Sequence, residues 1–130
     1  MSEENVEIVR RAIGHLNRTG EPDWRLYDPK LIWRTRRDGP AHSTYRGLDG
    51  LRRAAASFRE VWAEVNGEIV EVVEQRDVVV AVIHWRLRGH SGVELEVEEG
   101  WATWLRDGKI TRIEQHGNRR EAIEAAGLSG

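Results

Sequence analysis

Three ionisable residues, His84, Arg86 and Glu98, are the best candidates for chemistry in this chain. A carboxylate that accepts a hydrogen bond from one imidazole nitrogen fixes the tautomer and leaves the other nitrogen for proton transfer. A neighbouring arginine can hold a carboxylate or an enolate. We therefore predict His84 as the acid or base, Glu98 as the residue that orients it, and Arg86 as the anion stabiliser.

Two turns decide whether these side chains meet. Asp107-Gly108 joins two apolar runs, and it is a strong hairpin signal because both residues accept positive φ. A three-residue loop at residues 90–92 then predicts three cross-strand pairs: His84–Glu98, Arg86–Glu96 and Arg88–Glu94. The alternative is that these pairs form an ion-pair ladder on a solvent-facing or dimer-facing sheet.

Aromatic residues form a second group of candidates. Six tryptophans in 130 residues are enough to line a ligand pocket or a dimer face as well as a core. The predicted ligand-binding residues are Trp24, Tyr27, Arg34, Trp62, Trp101, Trp104 and Gln115. Trp33 is a further possible lining residue, and ordinary core packing is the alternative for most of the rings.

Polar residues near the strand ends give two weaker hypotheses. Arg34, Arg36 and Arg37 resemble an anion site that could steer an acidic ligand, with plain surface charge as the alternative. Glu114 and His116 on the last strand become pocket groups only if a β-bulge reverses their face.

Composition excludes several classes of function. The net charge of −2 and the mixed charges argue against a nucleic-acid or membrane partner. The five histidines lack ligand spacing and cysteine is absent, so we expect no metal, no cofactor and no disulfide. The acidic, polar start is unlike a signal peptide, and a cytoplasmic location is expected.

The hydrophobic pattern predicts one α+β domain over residues 1–130. Helical spacing covers residues 3–18, 21–27, 49–65 and 119–126. Strand patterns cover residues 31–35, 68–75, 78–89, 93–106 and 110–117. Ala81, Ile83, Trp85 and Trp101 share the more apolar sheet face, which we expect the helices to cover. The opposite face has small residues, Gly100 and Ala102, where space for a ligand could open.

Several local phrases, in this order, resemble the SnoaL-like branch of the NTF2-like superfamily. They are residues 28–34 (DPKLIWR), 45–51 (YRGLDGL), 89–92 (GHSG), 105–110 (LRDGKI) and 121–128 (EAIEAAGL). The resemblance implies an NTF2-like conical barrel, in which a bent mixed sheet wraps round an N-terminal helix pair and a long third helix. It also implies a mostly apolar pocket and frequent homodimers through the sheet.

The family's catalytic carboxylates do not carry over to this sequence. In ketosteroid isomerase-like members a base stands about where Arg34 stands, and a second Asp lies near Trp101 or Ala102. In epoxide hydrolases and cyclases a last-strand Asp stands where this chain has Gln115. The resemblance therefore implies a pocket that binds an apolar or aromatic small molecule, with cofactor-free isomerase, cyclase or hydrolase chemistry as one possibility. The alternative is a non-catalytic binding or dimerisation module.

Overall fold

The computed structural model describes residues 2–36 and 42–128. Within them the helices are α1 (Ser2–Thr19), α2 (Gly47–Val61) and α3 (Arg119–Ala126), with one 3-10 turn at Trp24–Leu26. The strands are β1 (Tyr27–Arg34), β2 (Thr44–Arg46), β3 (Trp62–Gln75), β4 (Val78–Gly89), β5 (Glu94–Arg106) and β6 (Lys109–His116). They form one sheet in the order β2-β1-β6-β5-β4-β3, in which only β1 and β6 run parallel. The predicted α+β class with a mixed sheet is confirmed.

The tight turns agree with the sequence. Asp107 and Gly108 have φ of 51° and 77° and join β5 to β6, as the two-residue hairpin requires. Across the preceding loop, β4 and β5 pair in the predicted register, with His84 opposite Glu98.

The helix predicted over residues 49–65 is four residues too long at its C-terminal end. Helix α2 ends at Val61, and Trp62 and Val65 belong to β3, where they pair with Gly89 and Leu87. Helical spacing continues past Val61, but β3 gains a ladder along the whole of β4, and that tertiary pairing overrides a weak local preference. The predicted second helix is also reduced, to the single 3-10 turn.

Helix α1 covers one face of the sheet, which we call the inner face. Its buried residues Val9, Ala12 and Ile13 join a core that includes Ile83 and Trp101 on the central strands. This arrangement confirms the prediction that the more apolar face is covered by helix. None of the described helices is both long and apolar enough to cross a membrane.

The opposite, outer face is partly covered by α3. A Cβ added to Gly100 would lie 2.6 Å from the backbone oxygen of Asn118 and 2.8 Å from Cβ of Ala122. Val80 and Ala102 are fully buried beneath the same helix, where they pack with its residues Ala122 and Ile123. The small residues therefore do not open ligand space, and that expectation is wrong because α3 fills it.

A β-bulge in β6 changes the predicted pairing with β5. The register shifts between Trp104 and Leu105, so Trp101 lies opposite Gln115 and Gly100 opposite His116. Counting from a two-residue turn without a bulge predicts the pairs Trp104–Thr111, Ala102–Ile113 and Gly100–Gln115, and each is wrong by one residue. The bulge sends Ile113 to the inner core and leaves Glu114 and His116 on the outer face.

Candidate functional site

The interior between α1 and the inner face of the sheet contains a small apolar hollow. Its volume is about 30 Å³, which is room for one or two water molecules. It is lined by Val9, Ala12, Ile13, Leu16, Pro22, Tyr27, Trp33, Ile83, Trp101, Thr103, Ile110 and Ile113. Of the predicted ligand-binding residues, Tyr27 and Trp101 line it.

Indole rings occupy most of the space beside this hollow. The ring centroids of Trp33 and Trp101 are 5.8 Å apart, and those of Trp85 and Trp101 are 5.4 Å apart. Nε1 of Trp101 donates to Oε1 of Glu99 at 3.0 Å. Nε1 of Trp33 and of Trp85 is buried and has no hydrogen-bond partner among the described residues. Each unpaired buried donor costs roughly 1–3 kcal/mol.

The lining contains one titratable group, Tyr27. Burial, and then the charge of Asp23, raise the pKa of Tyr27 above its ordinary value of 10.0. Its hydroxyl therefore remains protonated at neutral pH, where it can donate a hydrogen bond.

The predicted catalytic group lies on the outer face, away from this hollow. The backbone pairs His84 with Glu98, but Nε2 of His84 lies 2.7 Å from Oε1 of Glu96. Nε of Arg86 is 3.9 Å from the same oxygen, and its side chain is 73% exposed. The hydrogen bond and charge of His84 lower the pKa of Glu96 below 4.5, and Arg86 contributes. The side chain in contact with His84 is therefore Glu96, which lies on the same face of β5 as the predicted Glu98 but two residues before it.

A larger, open cleft lies where β1 and β6 end beside α3. Its volume is about 440 Å³, within the range of small-molecule sites. It is lined by Arg34, Thr35, His42, Glu114, Gln115, His116, Glu121, Glu124 and Ala125. Of the predicted ligand-binding residues, Arg34 and Gln115 line this outer cleft, apart from Tyr27 and Trp101 at the hollow.

Glu114 is the most enclosed acid of the cleft, with 13% of its side chain exposed. Nε of Arg112 donates to its Oε2 at 2.9 Å, and Nε2 of His116 lies 3.2 Å from its Oε1. Burial raises the pKa of Glu114, but the hydrogen bonds from Arg112 and His116 outweigh it, and the pKa falls below 4.5. Glu114 is therefore ionised at neutral pH.

This lowered pKa predicts a pH dependence of stability. Because the pKa of Glu114 is lower in the folded state, its contribution is fully present above the unfolded value near 4.5 and is lost as pH falls through the folded value. We expect Glu114→Gln to flatten the fall in unfolding free energy below pH 4.5 relative to wild type. Urea denaturation from pH 7 to pH 3 measures this. Parallel curves for the two proteins would contradict it.

The other predicted aromatic residues are dispersed. Trp24 is 36% exposed, and Arg52 lies over its ring at 5.3 Å. Trp62 packs at the edge of the inner core. Trp104 lies on the outer face beside α3, with Arg112 over its ring at 5.4 Å. Of the candidate aromatic residues, Tyr27, Trp33 and Trp101 line the hollow.

The predicted arginine cluster is also divided. Arg34 lines the cleft, whereas Nη1 of Arg36 lies 3.4 Å from Oε2 of Glu99. Arg37 lies outside the described residues. Among residues 2–36 and 42–128, no group of three or more His, Cys, Asp or Glu side chains is arranged to hold a metal ion.

Comparison with known proteins identifies the family. The sequence matches the SnoaL-like domain family over residues 9–113. The chain belongs to this family. A search of curated proteins finds no match for this SnoaL-like domain.

Solved structures agree on the fold. An NTF2-like protein of unknown function from Burkholderia pseudomallei K96243 is 20% identical, with a TM-score of 0.79 over 95% of this chain and 97% of that chain. TerC, co-crystallised with polyporic acid, is 21% identical, with a TM-score of 0.78 over 95% and 98%. A putative SnoaL-like polyketide cyclase from Jannaschia sp. CCS1 is 17% identical, with a TM-score of 0.75 over 99% and 95%. The SnoaL-like domain therefore has an NTF2-like α+β fold.

The outer cleft of this SnoaL-like domain is not predicted by the pattern of residues along the chain. Glu114 and His116 were assigned to the cleft-forming face only on condition of a bulge, and the bulge is present. His42, Glu121 and Glu124 were not predicted as site residues, because nothing in their spacing places the end of β6 beside α3. The Asn118 cap, whose Oδ1 accepts from the backbone N–H of Glu121 at 2.9 Å, is the one local signal for that helix start.

Proposed function

We propose that this SnoaL-like domain binds a small aromatic or apolar molecule, carrying one hydrogen-bond acceptor, between α1 and the inner face of the sheet. The observation that carries the proposal is the buried N–H of Trp33, which has no partner among the described residues, at a hollow whose lining is mostly apolar. A ligand acceptor placed there would recover the free energy of an unmade hydrogen bond. The apolar lining would supply most of the affinity.

Structures of similar fold support a small-molecule role. TerC was crystallised with polyporic acid. A protein with a ketosteroid isomerase-like fold from Catenulispora acidiphila DSM 44928 was crystallised with trimethylamine. At identities of 21% and 14% these ligands are not transferred to this chain. They favour binding of small organic molecules as the class of function.

Binding requires the interior to open. An aromatic ring is several times larger than the hollow of about 30 Å³. Trp33 is the side chain best placed to move, because it is only partly buried, whereas Trp101 is 7% exposed and hydrogen-bonded. Displacing a packed ring consumes part of the binding free energy. We therefore expect weak binding of simple fragments.

The lining favours binding over acid–base catalysis inside the domain. It contains no carboxylate or imidazole, and Tyr27 is held neutral. Proton transfer by His84, oriented by Glu98 and assisted by Arg86, stays a prediction. It needs a substrate on the outer face, where these residues lie.

A pair of nearly isosteric probes tests the acceptor. Acetophenone carries a carbonyl that ethylbenzene lacks, so wild type should bind acetophenone about fivefold more tightly, the equivalent of one hydrogen bond of about 1 kcal/mol. Trp33→Phe removes the donor and should erase that difference while leaving ethylbenzene binding within a factor of about two. Amide chemical shifts in two-dimensional NMR give both affinities and the site.

Val70→Ala is the matched control, because Val70 is exposed on β3 and does not line the hollow. It should keep the preference for acetophenone. Equal affinities of the two probes for wild type, or shifts confined to the protein surface, would count against the interior site.

The alternative is a non-catalytic dimerisation module. Rows of charge on the outer face of β3, β4 and β5 favour it, because a second copy could pair with them. The rows are Glu68–His84–Glu98, Asn66–Arg86–Glu96 and Glu64–Arg88–Glu94. A homodimer through this sheet remains a proposal. Absence of probe binding together with a dimer in solution would favour it over the ligand-binding role.

A further inference from the structure

The outer cleft contains a cation, Arg34, that has no partner among the described residues. Arg34 lies on β1 directly beside Glu114 on β6. Its Nε is buried without a hydrogen-bond partner, and no ion pair between described residues includes its guanidinium. A partly buried cation without a partner is unfavourable unless an anion forms an ion pair with it. Arg34 is therefore available to an anion from outside the chain.

The neighbouring acid does not pair with it. The carboxylate of Glu114 accepts from Arg112 at Oε2 and lies against His116 at Oε1, and no ion pair between described residues joins it to Arg34. The planar guanidinium of arginine matches a carboxylate through two parallel N–H donors. Nε of Arg34 is itself enclosed, so a ligand carboxylate in the cleft would meet the terminal Nη donors, and a carboxylate is the group that fits them.

His116 supplies an acceptor in the same cleft. Ionised Glu114 can only accept a hydrogen bond, so the nitrogen of His116 that faces it, Nε2, carries the proton. In the neutral ring the other nitrogen, Nδ1, is then an acceptor. A hydroxyl or an ammonium group on the ligand could donate a hydrogen bond to this nitrogen.

The wall of the cleft formed by α3 also carries hydrogen-bond acceptors, which would bind donors on a ligand. Glu121 and Glu124 on α3 are exposed and line the cleft. Nδ2 of Asn118 donates to Oε2 of Glu121 at 3.2 Å, and Arg120 is 3.7 Å from Glu124 across an exposed pair. Both acids keep free acceptor capacity toward the cleft. The cleft is thus cationic on the Arg34 side and anionic along α3.

We propose that this cleft is a second ligand site, separate from the interior hollow, that binds a small amino- or hydroxy-carboxylate. Arg34 binds the carboxylate, and His116, Glu121 and Glu124 accept from the amino or hydroxyl end. Glu114 is a positioning residue that fixes the tautomer of His116. The volume of about 440 Å³ accommodates a ligand of this class.

Three probes with a common ring separate the two ends of the ligand. They are 4-(aminomethyl)benzoate, benzoate and benzylamine, titrated by two-dimensional NMR. We expect 4-(aminomethyl)benzoate to shift the amides of Thr35, Gln115 and His116 and to bind at least fivefold more tightly than either single-ended probe. Equal affinities of the three probes would overturn the two-ended assignment.

Variants at Arg34 test the anion side. Arg34→Gln should weaken 4-(aminomethyl)benzoate at least tenfold, and Arg34→Lys should lie between it and wild type because the charge remains without the planar fork. Without ligand, Arg34→Gln should also raise the thermal midpoint, since it removes a partly buried charge that has no partner among the described residues. Arg46→Gln, an exposed arginine on β2, is the matched control and should bind normally. Unchanged affinity in Arg34→Gln would refute the site.

The two proposed ligand sites can be tested independently of each other. Trp33→Phe should leave 4-(aminomethyl)benzoate binding unchanged, and Arg34→Gln should leave the preference for acetophenone unchanged. Loss of acetophenone binding with retained aminomethylbenzoate binding would refute the interior site alone. The reverse result would refute the outer cleft alone.

Discussion

Gly100→Ala is expected to destabilise the protein by about 2–3 kcal/mol, close to the upper limit for overpacking by one methyl group. The new Cβ would lie 2.6 Å from the backbone oxygen of Asn118 and 2.8 Å from Cβ of Ala122. A backbone oxygen and a buried helix cannot yield as a flexible side chain does, so α3 must lift from β5. A thermal midpoint lower by roughly 10 °C is the corresponding shift for a domain of this size.

Gly14→Ala is the matched control for that experiment. Gly14 lies inside α1, and its Cβ would meet only Nη1 of Arg18, the far end of a flexible side chain, at 3.2 Å. Because alanine is favoured over glycine in a helix by about 1 kcal/mol, this change should stabilise the protein. Urea denaturation of both variants measures the change in unfolding free energy, which should be negative for Gly100→Ala and positive for Gly14→Ala. A neutral Gly100→Ala would mean that α3 does not pack on β5 as described.

Trp101→Ala should have a still larger effect on stability, about 3–5 kcal/mol, because it removes a buried indole. Trp101 is 7% exposed and packs between Trp33 and Trp85. With domain stabilities of about 5–15 kcal/mol, the variant should remain folded. The vacated space would join the existing hollow and leave an apolar cavity of the size and shape of an indole. We therefore expect added indole to restore part of the lost stability.

The magnitude of that rescue follows from mass action. Indole at about ten times its dissociation constant would add roughly 1.4 kcal/mol to the unfolding free energy of Trp101→Ala. Thermal denaturation with and without indole measures it. Leu51→Ala, which also truncates a fully buried residue, leaves a hole too small for indole and should show no rescue. Stabilisation of both variants to the same extent would indicate non-specific binding and contradict an interior that accepts aromatic ligands.

The local signals in the sequence were sufficient for most of the elements. Asp107-Gly108 predicted its hairpin because few residue pairs tolerate two positive φ angles. The register that pairs His84 with Glu98 followed from counting back from the 90–92 loop. The same counting could not decide side-chain contacts, and His84 meets Glu96 instead. A side chain on a pleated strand reaches diagonal neighbours as well as the direct partner.

The candidate sites depended on features that are not local. A single bulge in β6, opposite Trp104 and Leu105 of β5, reversed the faces of the residues that follow it in β6. It moved Ile113 into the core and brought Glu114 and His116 to the cleft. The space between the aromatic rings also depends on tertiary packing. Whether Trp33 and Trp101 surround a space or fill it depends on the distance between α1 and the sheet, which no spacing in the sequence encodes.

The sequence by itself determined the α+β class, the SnoaL-like resemblance, the apolar face of the sheet and the main turns. Periodicity and turn chemistry are properties of neighbouring residues, so they can be deduced from the order of the chain. Only the tertiary structure decided that α3 packs against Gly100 and that indole rings occupy the interior. It also decided that Arg34 lies beside Glu114 in an outer cleft, with no partner among the described residues. Those outcomes depend on packing between distant segments, where a shift of one residue or a few ångströms changes which groups meet.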